Sequence, residues 1–205
     1  SVVTTFMLSF ERVIQESQGA ADLLRACAFF APDAIPEILL WQEALFAGTL
    51  LEKGKTNPLV LNETMSILGA YSLIKQEVGN HMVSVHRVVQ AVMRDGMKEE
   101  EQKRWVERVT QALDETFPVV EHENWQKCEQ LLTHVFVMSQ QLQEQQVVLK
   151  EAGAMLNRAG WYLSERARYA EAEPFLKQGL AIRRACSASS ATDVAQSLGT
   201  LSYLY

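Results

Sequence analysis

The stretch VSVHRVVQAVMRD, residues 83–95, changes its hydrophobic period in the middle. Before His86 the apolar residues alternate with polar ones, which is the pattern of a half-buried strand. After His86 the apolar residues recur at helical spacing up to Gly96, a residue type that favours helix ends. The stretch therefore predicts a strand that passes directly into a helix, with a histidine at the junction.

Four helices and a hairpin are predicted upstream of this junction. Gly79-Asn80 separates two short apolar runs, and these residue types suit a tight hairpin turn. The fourth helix is expected to be capped near Asn62. The predicted helices cover residues 4–17, 19–31, 35–48 and 62–71. Helices, a two-stranded wing and a closing helix make a winged-helix arrangement, assigned to residues 1–96.

Two longer amphipathic helices follow, over residues 98–117 and 124–143. Their short connection indicates antiparallel neighbours, and we expect residues 97–146 to form a helical linker. The predicted buried positions are Val106, Val109, Leu113 and Phe117 on the first helix, and Cys128, Leu131, Leu132, Val135 and Leu142 on the second.

The last segment contains an internal repeat. LNRAGWYL (156–163) aligns with LGTLSYLY (198–205) at an offset of 42 residues, and RYAEAEPFLKQGLAIRR lies between them. A helical hairpin repeated at fixed spacing is typical of a solenoid. Residues 147–205 are predicted to hold one and a half units. The expected fold class is therefore all-α: mainly helical, with a small β-hairpin wing.

Composition limits the function classes. The 205 residues carry a formal net charge of −6, which disfavours nucleic-acid binding. Three cysteines far apart in sequence suggest neither a disulfide framework nor a zinc site, so a cytoplasmic location is expected. No apolar run reaches the length of a membrane span, and no membrane partner is expected. Because the chain begins without methionine and ends within a repeat, we expect it to be part of a longer protein.

The repeat resembles tetratricopeptide repeats of the kinesin-light-chain-like kind, whose unit runs roughly L-N-N-L-A-x-L-Y and then Y-x-E-A-E-P-L. LNRAGWYL and YAEAEPF carry the resemblance, and Ala167 stands where the family has a turn glycine. The resemblance implies a concave groove that binds a protein or peptide ligand. Its predicted lining residues are Asn157, Trp161, Ser164 and Glu165. The alternative for Trp161 is packing on the preceding linker helix.

The first half resembles the winged-helix subdomain of STAND-class (NB-ARC-type) NTPases, on TTFMLSFE, LLRACAFFAPDAIPEILL and VSVHRVVQAVMRD. In that family a histidine, often in a motif written M-H-D, helps hold ADP in the resting state. The matching residue is His86, although its neighbours Val85 and Arg87 depart from the motif. The resemblance implies ADP or ATP with Mg²⁺, and a nucleotide-binding domain of the same parent chain as a partner. His86, Gln90 and Arg94 are predicted to share a helix face opposite the valines.

No enzymatic mechanism emerges from the residues. EKGKT (52–56) lacks the spacing of a phosphate-binding loop, because position 49 is threonine rather than glycine. Cys128, with His122 or His134, is better explained as a buried apolar residue than as a nucleophile. The helix over residues 62–71 has no basic residue for reading DNA.

The sequence thus predicts a regulatory and protein-interaction segment of a STAND-like signalling NTPase, without a catalytic site, metal site or cofactor of its own. Two alternatives stay open. In the first, the chain would be a plain tetratricopeptide scaffold with a helical N-terminal cap. In the second, it would be a winged-helix transcriptional regulator.

Overall fold

The structure is a computed structural model that describes residues 2–47, 49, 58–77 and 79–204. These residues are mainly helical with one small antiparallel sheet, which confirms the predicted fold class. The helices are α1 (Val2–Glu16), α2 (Gln18–Cys27), α3 (Glu37–Leu40), α4 (Pro58–Ala70), α5 (Arg87–Asp95), α6 (Glu99–Thr116), α7 (Trp125–Glu144), α8 (Lys150–Glu165), α9 (Tyr169–Ala185) and α10 (Ala191–Ser202). The strands are β1 (Ile35–Pro36), β2 (Ile74–Glu77) and β3 (Met82–Val85).

The chain divides into two compact units, the first ending at Ala112 and the second beginning at Leu113. The boundaries expected at residues 96 and 146 from sequence remain predictions. Each unit is described by itself below.

The first unit contains the predicted hairpin. β2 and β3 pair antiparallel, with Ile74 opposite Val85 and Glu77 opposite Met82. β3 ends at Val85 and α5 begins at Arg87, so the change of period at His86 marks the strand-to-helix junction as predicted. Of the apolar stripe on α5, Val89 and Met93 are buried, whereas Val88 and Val92 are half-buried.

The single helix predicted over residues 35–48 is wrong. Ile35 and Pro36 instead form β1, which pairs with β3 through Val83 and Met82. Only Glu37–Leu40 is α-helical, and a short 3₁₀ helix follows over Glu43–Phe46. Gln42 has an extended backbone, with ψ of 128°, which interrupts the helix. Pairing with a distant strand therefore overrides the local helical pattern.

The cap predicted at Asn62 is also wrong, because α4 already begins at Pro58. Proline suits a first helical turn, since its missing N–H has no intrahelical acceptor there. Asn62 lies one turn inside the helix, where its carbonyl accepts a hydrogen bond from the Ser66 hydroxyl at 2.8 Å.

The predicted buried faces of the two linker helices are confirmed. Val106, Val109, Leu113 and Phe117 are at most 3% exposed, and the five predicted positions on α7 are at most 2% exposed. Three glutamates occupy the first turn of α6, where negative charge is favourable at the positive end of the helix dipole.

The second unit contains the predicted repeat. α8 and α9 pair as a helical hairpin, and α10 packs against both. Gly160 of α8 lies directly against Leu176 of α9, so closely that a Cβ atom on Gly160 would be 2.5 Å from the Leu176 Cδ2 atom. Ala167, in the connecting turn, has a φ of 57°, the left-handed conformation that favours glycine. The helical spacing of Tyr169, Ala172, Leu176 and Leu180 predicts a buried face on α9, but Tyr169 is 53% exposed.

Candidate functional site

A cavity of about 630 Å³ lies in the second unit, on the faces of α8 and α10 and beside the connection before α7. We call it the repeat cavity. Its lining residues are Val119, Val120, Asn157, Arg158, Trp161, Gln196, Gly199, Thr200 and Tyr203. Ligand pockets in proteins range from about 300 to 1,000 Å³ and are mostly apolar with a few polar groups. The repeat cavity matches that description in both volume and lining.

Two aromatic residues from equivalent repeat positions form one wall of the repeat cavity. Trp161 on α8 and Tyr203, just after α10, are 42 residues apart, which is the offset of the repeat. Their ring centroids are 5.3 Å apart and the ring planes meet at 81°, an edge-to-face contact. The packing of α10 against α8 therefore brings the predicted groove residue Trp161 together with the residue at the equivalent position 42 residues later.

Asn157, the second predicted groove residue, lines the repeat cavity and is only 5% exposed. Its Nδ2 atom donates a long hydrogen bond of 3.4 Å to the Thr200 hydroxyl. Its Oδ1 atom is buried and has no hydrogen-bond partner among the described residues. Buried polar groups are nearly always paired in proteins, so the unpaired oxygen distinguishes this position.

Arg158, next to Asn157, was not among the predicted groove residues. Its Nη2 atom donates to the Asp114 carboxylate at 2.5 Å and to the Asp114 carbonyl at 2.6 Å. Its Nε atom is buried without a partner among the described residues. Burial raises the pKa of Asp114, and the attraction of Arg158 opposes that rise only in part. Arg158 stands where the L-N-N-L pattern of the repeat family has its second asparagine. This departure is the sequence signal that could have drawn attention to Arg158.

The other two predicted groove residues, Ser164 and Glu165, do not line the repeat cavity. Ser164 is buried, and its hydroxyl donates to the Gly160 carbonyl within the same helix at 2.8 Å. Glu165 is exposed at the C-terminal end of α8. Their role as ligand contacts remains a prediction from sequence.

Arg183 of α9 fixes the first turns of α10 next to the repeat cavity. The side chain is 5% exposed, and its Nη1 atom donates to the Asp193 carbonyl at 2.6 Å, the Ser197 hydroxyl at 2.8 Å and the Gln196 Oε1 atom at 3.2 Å. Burial lowers the pKa of this guanidinium. The side-chain oxygen of Gln196, which lines the repeat cavity, therefore already accepts a hydrogen bond within the protein.

His86, the predicted nucleotide contact, caps the N-terminus of α5. Its Nδ1 atom accepts a hydrogen bond from the Val88 amide at 3.1 Å, and its exposed ring stacks on Phe6 at a centroid distance of 6.1 Å. In the neutral ring this leaves Nε2 as the donor. His86 also lines a cavity of about 440 Å³ in the first unit, together with Lys75 and Ser84.

The shared face predicted for His86, Gln90 and Arg94 is not an open site. Gln90 is buried, and its amide donates to the carbonyls of Cys27 and Phe30 at 2.9 and 3.0 Å. Arg94 donates to the Ala28 carbonyl. Both side chains thus satisfy carbonyls at and just beyond the end of α2, which lack intrahelical partners. Only His86 of the three remains exposed.

The remaining sequence candidates have these outcomes. EKGKT lies outside the described residues. Cys128 is fully buried, as predicted, and burial raises the pKa of its thiol. No described helix is both long and apolar enough to cross a membrane. Within the described ranges, no three or more His, Cys, Asp or Glu residues are grouped so that they could hold a metal ion.

A family model described as Domain of unknown function (DUF7779) matches residues 9–102, which is less than half of the chain. No curated protein and no solved structure matches the chain. The matched range begins within α1, ends within α6 and stops before the repeat.

Proposed function

We propose that this chain is the regulatory and protein-interaction part of a STAND-like signalling NTPase. In this proposal the repeats bind a protein or peptide ligand, and the winged helix stabilises the ADP-bound resting state. The observation that carries the proposal is the repeat cavity. There Trp161 and Tyr203, from equivalent positions of successive repeats, form an aromatic wall, and the buried Asn157 Oδ1 atom has no partner among the described residues. A stacked helical repeat with such a face is suited to peptide recognition.

The geometry of His86 supports the nucleotide part of the proposal. The imidazole is exposed at a helix N-terminus and its Nδ1 atom is used as the cap, so the neutral ring presents Nε2–H to a ligand. Helix N-termini favour anions such as phosphate. In the parent protein, the nucleotide-binding domain would hold ADP with Mg²⁺. A phosphate oxygen of that ADP would accept a hydrogen bond from the His86 Nε2 atom. The contact must exist only in the closed state if it is to act as a switch.

The chain itself is proposed to have no enzymatic activity, any ATP hydrolysis belonging to the parent protein. The first alternative, a plain peptide-binding scaffold with a helical N-terminal cap, shares the repeat cavity and differs in that His86 caps α5 without contacting a nucleotide. The second, a transcriptional regulator, has less support because α4 has no basic residue between Pro58 and Ala70.

The ligand part is tested with a displayed library of random peptides selected on the whole chain. We expect enriched peptides to bind wild type and to lose about 30-fold or more of their affinity for Trp161→Ala, because truncating a buried aromatic anchor costs about 2 kcal/mol or more. Trp125→Ala, which lies outside the repeat cavity, is the matched control. Failure to enrich peptides, or equal binding to Trp161→Ala, would refute the ligand role.

The NTPase part is tested on the coding sequence before Ser1. The proposal requires a G-x4-G-K-[ST] motif there, because a phosphate-binding loop of that length is what holds the nucleotide. If the complete upstream sequence lacks this motif, the scaffold alternative replaces the NTPase proposal, and the peptide-binding result stands independently.

A further inference from the structure

Another cavity of the second unit, with a volume of about 360 Å³, lies between the N-terminal turns of α7 and the connection from α8 to α9. We call it the turn pocket. Its lining residues are Trp125, Gln126, Glu129, Tyr162, Arg166 and Arg168. None of these residues lines the repeat cavity, so the turn pocket is a separate surface of the second unit.

Most of the charge in the turn pocket is already paired. The Glu129 carboxylate accepts hydrogen bonds from the Tyr162 hydroxyl at 2.6 Å and from the Arg168 Nη1 atom at 3.0 and 3.1 Å. The Nε and Nη2 atoms of Arg168 each donate to the Glu171 carboxylate at 2.8 Å. Arg168 is therefore shared between two carboxylates and has no charge left for a ligand.

Arg166 is the exception. Its side chain is exposed, and its guanidinium lies over the Trp125 ring, 4.7 Å from the ring centroid. Among the described residues, none forms a hydrogen bond or an ion pair with the Arg166 side chain. The five N–H donors of a guanidinium lie in its plane, so stacking covers a face and leaves the donor edges open. Stacking also holds the side chain in place, which lowers the entropy lost when a ligand binds.

The unused groups of the turn pocket are suited to an anion. Arg166 offers its in-plane donors, which match the two oxygens of a carboxylate. The exposed Gln126 side chain can add an amide N–H. Glu129 and Glu171 together carry one more negative charge than Arg168 neutralises. A doubly charged phosphate would therefore be repelled more strongly than a singly charged carboxylate.

The composition and size of the turn pocket fit a protein partner. Trp, Tyr and Arg are the residue types that contribute most to binding at protein interfaces. The turn pocket contains each of them, with Tyr162 buried. Its volume is near the lower end of the range for ligand pockets, about 300 Å³. This volume suits a single inserted side chain better than a drug-sized molecule.

We propose that the turn pocket docks a partner protein that places an aspartate or glutamate side chain on Arg166. The partner's carboxylate binds the donor edge of the guanidinium, and the Trp125 ring holds that guanidinium in place. The charge complementarity between this unpaired cation and an acidic partner carries the inference. The inference does not involve the repeat cavity and is independent of the proposed function.

The test uses the displayed peptide library on the whole chain, with peptides standing in for the partner's segment. Clones that bind the turn pocket should contain an aspartate or glutamate. They should bind Arg166→Gln about tenfold or more weakly, because a hydrogen bond to a charged group is lost. Arg184→Gln is the matched control, since Arg184 is exposed at the opposite end of α9 from the turn pocket. If no enriched clone depends on Arg166, the inference is overturned.

A double-mutant cycle separates direct contact from an indirect effect. The peptide's acidic residue is replaced by its amide, Asn for Asp or Gln for Glu, and binding to wild type and Arg166→Gln is measured. For a direct pair, the second change should cost little once the first has been made. Fully additive losses would overturn the pairing. Tighter binding of a peptide with phosphoserine at that position would overturn the assignment to a carboxylate.

Substitution of two tryptophans keeps this inference distinct from the proposed function. Clones at the turn pocket should bind Trp125→Ala more weakly and keep their affinity for Trp161→Ala. Clones at the repeat cavity should show the reverse, so Trp125→Ala remains the control for them. If clones depend on Arg166 but none depends on Trp161, the ligand role of the repeat cavity is refuted and the inference stands. If the Arg166-dependent clones bind Trp125→Ala as tightly as wild type, the assignment to the turn pocket is overturned.

Discussion

Replacing Gly160 with alanine is expected to destabilise the α8–α9 hairpin. A Cβ atom at Gly160 would lie 2.5 Å from Cδ2 and 2.6 Å from Cγ of Leu176. Comfortable contacts between carbon atoms are about 3.5–4.0 Å, so the two helices would have to separate by about 1 Å. Leu176 is fully buried and cannot swing into solvent to relieve the contact.

The magnitude follows from two opposing effects. Overpacking of a well-packed core costs about 1–3 kcal/mol, whereas alanine in a helix interior is about 1 kcal/mol more favourable than glycine. Gly199→Ala on α10 is the matched control, because nothing lies within 4 Å of its added Cβ atom. The free energies of unfolding of the two variants should therefore differ by about 1–3 kcal/mol, the overpacking cost alone.

The assay is urea denaturation of the wild type and both variants, followed by far-ultraviolet circular dichroism. Since Gly160 and Gly199 belong to the same compact unit, one transition reports both. Equal unfolding free energies for Gly160→Ala and Gly199→Ala would refute the close packing of α8 on α9 at Leu176.

Substitutions at three further residues test other features. His86→Ala should lower the free energy of unfolding by about 1 kcal/mol, because the cap on α5 is lost. His86→Asn keeps a side-chain acceptor and should retain the wild-type stability. If denaturant titrations give both variants the same loss of unfolding free energy, the capping role is contradicted. In the parent protein His86→Leu should also speed ADP dissociation, and an unchanged rate would contradict the nucleotide contact. Ala167→Gly should raise the unfolding free energy by about 0.5–1 kcal/mol. The left-handed conformation of Ala167 costs a non-glycine residue about 1–2 kcal/mol, and the larger backbone entropy of glycine in the unfolded chain offsets part of the gain. A lower stability of Ala167→Gly in the same titrations would contradict the turn geometry. Burial raises the pKa of Cys27 from 9.0 to about 12. Above pH 9 the unfolded thiol therefore loses its proton first, and this thiol should lower stability by up to about 1.4 kcal/mol per pH unit up to about pH 12. In alkaline denaturation the stability of the wild type should fall more steeply with pH than that of Cys27→Ala, in which Cys128, whose pKa burial also raises, still contributes; equal slopes would contradict the assignment to Cys27.

Features set by neighbours in sequence could be predicted. The change of period at His86 places the end of β3 and the start of α5, since side-chain alternation and helical spacing are local. The repeat likewise predicts the hairpin of α8 and α9, because its small and apolar positions must meet across one turn. Helical spacing places Ala159, Gly160 and Leu163 of LNRAGWYL at such positions, and all three are buried.

Features set by distant partners could not be predicted. Residues 35–47 have a helical pattern, but Ile35 pairs with Val83, which lies 48 residues away. The polar face of α5 had the composition of a solvated surface. Gln90 is instead buried because its amide satisfies two carbonyls near the end of α2. Polarity alone does not distinguish these two situations.

The candidate site was predictable in part. Asn157 and Trp161 were selected from the repeat pattern and both line the repeat cavity. Tyr203 could have been found by applying the 42-residue offset to Trp161. Arg158 could have been noticed from its departure from the L-N-N-L pattern, but its pairing with Asp114 could not be predicted, because the two residues are 44 positions apart in sequence and meet only through helix packing.

The most direct test of the ligand role is the dissociation constant of a library-selected peptide for wild type and Gly199→Leu. Gly199 lines the repeat cavity and has open space around an added Cβ atom, so leucine would fill the repeat cavity without straining α10. We expect the dissociation constant to rise about tenfold or more, a loss of about 1.4 kcal/mol in binding, with the unfolding free energy undiminished. An unchanged dissociation constant would show that the peptide binds elsewhere and would contradict the assignment of the repeat cavity.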